Sequence, residues 1–177
     1  MKVIKAKTAG FCFGVKRAVD TVYKQVDTKC GQIYTYGPII HNEEVIKDMR
    51  DKGVIVLRSE EDLDMISQGT VIIRSHGVEK RIYEKIEQKG LRIVDATCPF
   101  VKKIHNIVSE KSGEGFHIII IGNPEHPEVV GIKGWAKDNV TVIQSAEDAE
   151  CFTADRKEKI CIVSQTTFNY NKFQDLV

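Results

Sequence analysis

The chain has 177 residues with 26 basic and 25 acidic side chains, and its formal net charge is +1. This balance excludes a protein built to coat nucleic acid or anionic lipid, so we expect neither as a partner. Hydrophobic residues make up 42% and charged residues 29%, which is ordinary for a globular protein. No apolar run approaches the ~20 residues of a membrane span, and the first seven residues lack the apolar core of a secretion signal. The sequence predicts a cytoplasmic protein.

The first half of the chain alternates short β-rich runs with segments of helical periodicity. Strands are predicted at residues 3–6, 33–36, 54–57, 71–74 and 91–94. Apolar residues recur at steps of three and four between Val15 and Val26, which predicts an amphipathic helix. Further helices are predicted at residues 43–52 and 80–89, because Gly53 and Gly90 follow them and can end them.

The second half continues the same alternation. Pro99 stands at the first-turn position of a helix predicted at residues 100–109. Strands are predicted at residues 117–121, 140–143 and 160–163, a short helix at 126–133, and the start of a helix at 168–177. Alternating strands and helices indicate parallel βαβ units. We therefore predict an α/β fold of two similar small domains, residues 1–97 and 98–177, each with a mostly parallel sheet of about four strands flanked by helices.

The five cysteines do not form a recognisable local motif. They lie at positions 12, 30, 98, 151 and 161, and no CxxC pair is present. An odd number in a chain of this size without a signal argues against a disulfide framework, and the lack of a CxxC pair argues against a zinc ribbon. Cys161 lies inside an apolar run and is expected to pack in the core. Cys30 and Cys151 have no ligand-like context, so none of these three is expected to bind a metal.

Chemically useful side chains follow six of the eight predicted strands. In chain order they are Cys12, His41, His76, Cys98, His126 with Glu128, and Thr166 with Thr167. Ligands of open α/β sheets bind outside the carboxyl ends of the strands, so these residues are expected to share one polar cleft.

Two of these residues, Cys12 and Cys98, are candidate ligands for a soft metal centre. Cys12 stands between glycines ahead of a predicted helix, whose amino end would favour a thiolate, and Lys16 and Arg17 add positive charge. Cys98 precedes the helix that begins at Pro99. The alternative for each is a buried structural cysteine. Together they suggest an iron–sulfur cluster or a zinc ion.

The three histidines allow two interpretations. His41, His76 and His126 can bind a metal, or they can donate hydrogen bonds to an anion beside helix amino ends. Any single one of them could instead be a capping residue. His105 and His117 lie within predicted elements and are expected to be structural.

Glu128 is the best-placed carboxylate for proton transfer, and Thr166 or Thr167 could orient a hydroxyl. A glutamate at a helix start also has a simpler explanation, because it favours the helix dipole. The glycine-bearing turns match neither a GxGxxG nor a Walker pattern, so a nucleotide site has no support in the sequence.

Six motifs along the whole chain resemble the 4-hydroxy-3-methylbut-2-enyl diphosphate reductase family, also called LytB. In order they are GFCFGVKRA at residues 10–18, GPIIHN at 37–42, RSHGV at 74–78, DATCP at 95–99, HPEV at 126–129 and QTT at 165–167. The resemblance implies an iron–sulfur enzyme of the non-mevalonate isoprenoid pathway. Its reaction reductively removes an allylic hydroxyl and gives isopentenyl and dimethylallyl diphosphates.

The resemblance also implies roles for individual residues. Cys12 and Cys98 would be two thiolate ligands of a [4Fe–4S] cluster, and His41, His76 and His126 would hold the diphosphate of the substrate. Glu128 would supply the proton, with Thr166 and Thr167 placing the substrate hydroxyl. An external electron donor such as ferredoxin or flavodoxin is implied as a partner.

The family pattern contains more than this chain does. In the family three similar α/β units surround the cluster, and the third unit supplies a third cysteine and a Ser/Asn diphosphate motif. We expect this chain to be the first two units of a longer enzyme, inactive as an isolated fragment. Two other hypotheses remain open: a mononuclear zinc hydrolase using Cys12, Cys98 and histidines, and a non-catalytic module that binds a phosphorylated ligand.

Overall fold

The computed structural model describes residues 2–28 and 31–177 and contains two parallel sheets with helices around them. The strands are β1 (Ile33–Tyr36), β2 (Ile55–Leu57), β3 (Thr70–Ile73), β4 (Arg92–Asp95), β5 (His117–Ile121), β6 (Val140–Ile143) and β7 (Ile160–Ser164). The helices are α1 (Phe13–Thr28), α2 (Glu43–Asp51), α3 (Glu60–Asp64), α4 (Lys80–Gln88), α5 (Pro99–Gly113), α6 (Pro127–Lys133), α7 (Ala146–Cys151) and α8 (Tyr170–Leu176).

The strand order confirms the predicted α/β class. The first sheet has the order β2-β1-β3-β4 and the second has the order β6-β5-β7, and every neighbouring pair is parallel. The second sheet therefore has three strands in the described chain, one fewer than the four expected. No helix in the described parts combines the length and apolar character that crossing a bilayer requires.

Helices pack on both faces of each sheet, as is usual for parallel sheets. In the first sheet, Ile72 packs on the side of α1 and α2, whereas Ile73 packs on the side of α3 and α4. In the second sheet, Ile118 and Ile120 face α5 and α6, while Ile119 and Ile121 face α7 and α8. The strand predicted at residues 117–121 is confirmed as β5, and its isoleucine run is buried on both faces.

The strand predicted at residues 3–6 is wrong. This segment has no regular structure, and the side chains of Val3 and Ile4 are 78% and 81% exposed. A strand needs a neighbour to receive its backbone hydrogen bonds, and no described strand of either sheet pairs with this segment. Cys12 therefore precedes α1 without following a strand, which corrects the strand-end argument for that residue.

The ends of most helices follow the local signals. The Asn42 side chain accepts a hydrogen bond from Val45 N and so caps α2, and Pro99 begins α5. Helix α5 continues to Gly113, beyond the predicted residue 109. The short helices α3 and α7 were not predicted. Each begins after a serine, Ser59 or Ser145, whose hydroxyl accepts a hydrogen bond from the backbone three residues later.

Candidate active site

Three imidazole rings that follow strands of the two sheets lie close together. His41 follows β1, His76 follows β3 and His126 follows β5, so the carboxyl ends of both sheets contribute. The ring centroids of His41 and His76 are 4.9 Å apart, and those of His76 and His126 are 5.5 Å apart. The sequence predicted that these residues would come together, and the structure brings them together with His76 in the middle.

The protonation of His76 and the tautomer of His126 follow from their surroundings. Burial, together with the neighbouring His41, Arg74 and His126, lowers the pKa of His76 to about 4. His76 is therefore neutral at pH 7 in the absence of a ligand. His126 Nδ1 accepts a hydrogen bond from Glu128 N at 3.1 Å, so a neutral His126 ring carries its proton on Nε2, where it can be donated.

A carboxylate and a hydroxyl form a pair beside the imidazoles. Glu128 lies in the first turn of α6 and is only 1% exposed. Its Oε1 accepts a hydrogen bond from Thr166 N at 2.6 Å, and its Oε2 accepts one from the Thr166 hydroxyl at 2.9 Å. Both oxygens of this buried acid are thus held by one residue that follows β7, which satisfies the carboxylate and fixes its direction.

Gln165 holds the two loops of the second sheet together. Its Oε1 accepts a hydrogen bond from Asn123 N at 3.2 Å, and its Nε2 donates to the Thr167 hydroxyl at 2.8 Å. Gly122 permits this approach, because a Cβ at that position would lie 3.0 Å from Gln165 Cβ and 2.8 Å from a methyl of Val129. Thr167 is therefore bonded to Gln165, whereas Thr166 is the residue that contacts Glu128.

The two predicted cluster ligands lie at the amino ends of the two longest helices. Cys12 immediately precedes α1 and is exposed, and Cys98 is the N-cap of α5 and is partly buried. The Cys98 thiol lies against the first turn of α1, since a Cβ on Gly14 would be only 2.6 Å from its Sγ. Helix amino ends favour thiolates, so both positions suit thiolate ligands.

Backbone contacts tie the cysteine loops to each other and to the imidazoles. Arg17 on α1 donates from Nη1 to Thr97 O at 2.8 Å and from Nη2 to Asp95 O at 3.4 Å. Cys98 N donates to Ser75 O at 2.8 Å, and Ser75 directly precedes His76. Arg17 therefore ties the start of α1, next to Cys12, to the segment just before Cys98. This role was not predicted from the sequence.

The described residues fit an iron–sulfur cluster in part. Two thiols beside helix amino ends, with a glycine leaving room for one sulfur, match the donor chemistry of such a cluster. Across residues 2–28 and 31–177, no group of three His, Cys, Asp or Glu side chains is arranged to hold a metal ion. The arrangement therefore gives no support to the mononuclear zinc hypothesis, and Cys12 and Cys98 fit only two of a cluster's ligand positions.

The remaining cysteines lie away from this region where they can be described. Cys161 lies on β7 and packs against the core, where burial raises the pKa of its thiol. Cys151 is exposed at the end of α7. The prediction for Cys30 falls outside the described residues.

A histidine and a tryptophan that the sequence did not single out as site residues hold the His76 loop from the second half. Trp135 Nε1 donates to Val78 O at 2.9 Å, and the His105 ring stacks on Trp135 with centroids 5.1 Å apart. His105 also packs against Gly77, where a Cβ would lie 2.4 Å from its Cε1. The RSHG motif at residues 74–77 draws attention to Gly77 in the sequence. Nothing in the motif indicates its partner His105, which is distant along the chain.

The fold and these contacts define an α/β protein with a cluster of three imidazoles, a buried acid–hydroxyl pair and two thiols at helix amino ends. The model of the LytB protein family matches residues 3–177, and the chain belongs to that family.

Relatives and solved structures agree with this assignment. The chain is 46% identical over 178 residues to 4-hydroxy-3-methylbut-2-enyl diphosphate reductase of Caldanaerobacter subterraneus subsp. tengcongensis, covering all of this chain and 61% of the relative. It is 43% identical over 178 residues to the Clostridioides difficile enzyme of that name, covering all of this chain and 63% of the relative. The structure of the Plasmodium falciparum E-1-hydroxy-2-methyl-but-2-enyl-4-diphosphate reductase superposes with a TM-score of 0.89 at 30% identity, over 96% of this chain and 53% of that one.

A second solved structure, of (E)-4-hydroxy-3-methyl-but-2-enyl diphosphate reductase, has a TM-score of 0.81 at 37% identity, over 99% of this chain and 62% of that one. That protein is described as the terminal enzyme of the non-mevalonate pathway. The chain thus spans about three fifths of the length of the curated relatives it matches.

Proposed function

We propose that this chain supplies the diphosphate-binding and proton-donating residues of a 4-hydroxy-3-methylbut-2-enyl diphosphate reductase. The reaction replaces an allylic hydroxyl by hydrogen, so it consumes two electrons and two protons and releases water. The observation that carries the proposal is the convergence of three imidazoles from three strand ends on a buried glutamate held by Thr166. The similarity to named reductases over the whole chain supports it.

The imidazoles would bind the diphosphate, which takes no part in the chemistry. His126 can donate from Nε2, because its Nδ1 is occupied by Glu128 N. The negative charge of a diphosphate would stabilise protonated imidazoles, so binding is expected to raise the pKa of His76 from its low value in the free protein. Binding energy from the diphosphate then holds the distant hydroxyl in place for reaction.

Glu128 and Thr166 would deliver a proton to the departing hydroxyl. A protonated Glu128 can hold its proton at Oε2, 2.9 Å from the Thr166 oxygen. That oxygen can accept the proton's hydrogen bond and donate its own hydrogen to the substrate, which makes a short relay. Thr166 N would continue to donate its hydrogen bond to Oε1 and so keep the Glu128 carboxyl in a fixed orientation.

Cys12 and Cys98 would be two of the ligands of a [4Fe–4S] cluster. Such a cluster, when bound, supplies electrons and a Lewis-acidic iron for the hydroxyl oxygen. The electrons would come from an external donor such as ferredoxin or flavodoxin. We also propose a cytoplasmic location, where thiolate ligands remain reduced.

The test compares Glu128→Gln with Glu125→Gln in the chain extended to the full length of its relatives and loaded with iron and sulfide anaerobically. Glu125 is exposed, lies three residues away and makes a matched control. We expect Glu128→Gln to lower kcat by about 100-fold or more with little change in diphosphate affinity, and Glu125→Gln to behave like the wild type. Intact diphosphate binding without turnover in the wild type would contradict the proposal and favour the non-catalytic module.

A further inference from the structure

We propose that the first half holds a second binding site, for a small phosphate-bearing anion, in a cavity separate from the imidazoles. This cavity, the basic hollow, has a volume of about 570 Å³ and is lined by the basic side chains of Lys47, Arg50, Arg58 and Arg74. The volume lies within the ~300–1,000 Å³ range of small-molecule pockets.

The basic hollow lies at the position where open α/β sheets bind ligands. Gly37 follows β1 and Arg74 follows β3, and both line the hollow. These two strands are neighbours, but the chain leaves β1 towards β2 and leaves β3 towards β4, on opposite sides. Helices α2 and α4 consequently pack on opposite faces of the sheet, which opens a crevice between the two strand ends.

Arg74 is the residue that points to an anionic ligand. Its Nε donates to Gly77 O at 3.3 Å, and no other hydrogen bond of its guanidinium is found among the described residues. Burial lowers the pKa of this guanidinium, while Tyr36 and Glu79 nearby raise it. A planar guanidinium with two free amino groups binds phosphate oxygens in pairs.

Gly37 provides the space in which Arg74 lies. Gly37 has a φ of +73°, and a Cβ there would lie 2.7 Å from Arg74 Nη1. In the second half the corresponding glycine is Gly122, and the side chain of Gln165 lies against it. The amide of Gln165 is bonded to Asn123 N and to the Thr167 hydroxyl. Gln165, the uncharged equivalent of Arg74, thus has partners within the chain for both its amide oxygen and its amide nitrogen. Among the described residues, the guanidinium of Arg74 has a hydrogen bond at Nε alone.

The charge of the basic hollow favours a dianion. Four basic side chains face two acidic ones, Glu43 and Glu44, which leaves an excess of two positive charges. None of the three histidines lines the hollow, although Arg74 is close enough to His76 to lower its pKa, and a short stretch of each loop separates the hollow from the imidazoles. Ile39 and Ser75 come between, and they are tied together by the Ser75 hydroxyl, which donates to Ile39 O at 3.0 Å.

The experiment measures anion binding by isothermal titration of the chain extended to the full length of its relatives. The probes are inorganic diphosphate, inorganic phosphate and glycerol 3-phosphate, which separate free phosphate from an organic phosphoester. The double variant Arg50→Gln/Arg58→Gln removes two charges at exposed positions, and Arg156→Gln removes an exposed arginine elsewhere. We expect two classes of diphosphate site in the wild type and in Arg156→Gln, one of them weakened about tenfold in the double variant.

The second part of the experiment uses a variant that should bind the anion more tightly, because misfolding cannot increase affinity. Glu43→Gln/Glu44→Gln removes the two acidic side chains that line the basic hollow, and we expect diphosphate or phosphate to bind there about threefold to tenfold more tightly. An unchanged titration in both double variants overturns the proposal. A single class of site that is lost in His126→Phe but kept in Arg50→Gln/Arg58→Gln would also overturn it.

Discussion

The two halves of the molecule use the same plan with different side chains. In each sheet the central strand, β1 or β5, pairs with the two strands that follow it. His41 is the fifth residue after β1, and His126 is the fifth after β5. A glutamate stands two residues beyond each histidine, Glu43 in the first half and Glu128 in the second. This correspondence favours a diverged duplication, which sequence identity alone is too weak to indicate.

The same plan carries different chemistry in the two halves. Glu43 is exposed on α2, whereas Glu128 is buried and held by Thr166. After β3 the hydroxyl of Ser75 ties a loop by donating to Ile39 O, whereas after β7 the hydroxyl of Thr166 donates to Glu128. Under the proposed function, the first half would contribute two imidazoles for binding, while the second would contribute one imidazole and the pair that transfers the proton. A repeated scaffold can thus divide binding and chemistry between its copies by small changes of burial.

The largest effects are expected in the cores of the two halves. Ile72 on β3 and Ile120 on β5 are both fully buried. Ile72→Ala and Ile120→Ala should each lower the free energy of unfolding by about 2–5 kcal/mol, through lost burial and a cavity. Urea unfolding measures this loss. Ile162→Ala is the control, because Ile162 is 41% exposed and should cost less than about 1 kcal/mol.

Hydrogen exchange on the same variants tests the predicted boundary near residue 97. If residues 1–97 and 98–177 are separate domains, Ile72→Ala should speed amide exchange mainly in the first and Ile120→Ala mainly in the second. Equal acceleration across both halves in either variant would show one cooperative unit and contradict that boundary.

Gly14→Ala should disturb the contact between the first turn of α1 and the Cys98 thiol. The new Cβ would lie 2.6 Å from Cys98 Sγ, so either the thiol or the start of α1 must move. We expect a loss of about 1–3 kcal/mol from overpacking. In the chain extended to the full length of its relatives, most of the bound iron should also be lost.

Iron and sulfide analysis, together with a melting curve, measures both effects. Gly113→Ala is the matched control, because Gly113 ends α5 and a Cβ there has no neighbour within 4 Å. Full iron content in Gly14→Ala would contradict a ligand role for Cys98 in this geometry.

Acid should weaken the contact between the halves. Burial lowers the pKa of His105 to about 4, below the usual 6.5 of an unfolded chain. The unfolded state therefore binds more protons between these pH values, so stability is complete above pH 6.5 and decreases as the pH falls towards 4. His105→Phe keeps a ring on Trp135 and removes the titrating group, so its urea midpoint should depend less on pH over that range.

Trp135→Phe is the control for that experiment. It removes the hydrogen bond to Val78 O but no titrating group, so it should lower stability by about 1 kcal/mol at every pH. An unchanged pH dependence in His105→Phe would show that His105 is not a source of the acid sensitivity.

Hydrophobic patterns were sufficient to predict all seven strands of the two sheets, because buried parallel strands are continuous apolar runs. The same logic failed at residues 3–6, where Val3 and Ile4 form an apolar run that has no neighbouring strand. The convergence of His41, His76 and His126 followed from strand ends alone. The contacts of His105 with Gly77 and of Trp135 with Val78 could not be predicted from the sequence. They depend on how the second half packs against the first.

The smallest effects are expected at the caps of the two helices that hydrophobic patterns missed. Helices α3 and α7 follow β2 and β6 at corresponding places, and both begin with a serine followed three residues later by an aspartate. That spacing is a capping-box signal that helix periodicity overlooks in segments of five or six residues. Ser59→Ala and Ser145→Ala should each lower the free energy of unfolding by about 1 kcal/mol.

Equal losses in these two variants would extend the correspondence between the halves to their smallest elements. Ser67→Ala, outside any helix, is the control for replacing a serine. Asp148 also accepts hydrogen bonds from Gln144 N and Ser145 N, whereas Asp62 accepts one from Arg58 N. The extra bond is donated by the backbone of Ser145 and completes a reciprocal box, so Asp148→Ala should cost more than Asp62→Ala in urea unfolding. A larger loss in Asp62→Ala would contradict the idea that the reciprocal bond adds stability.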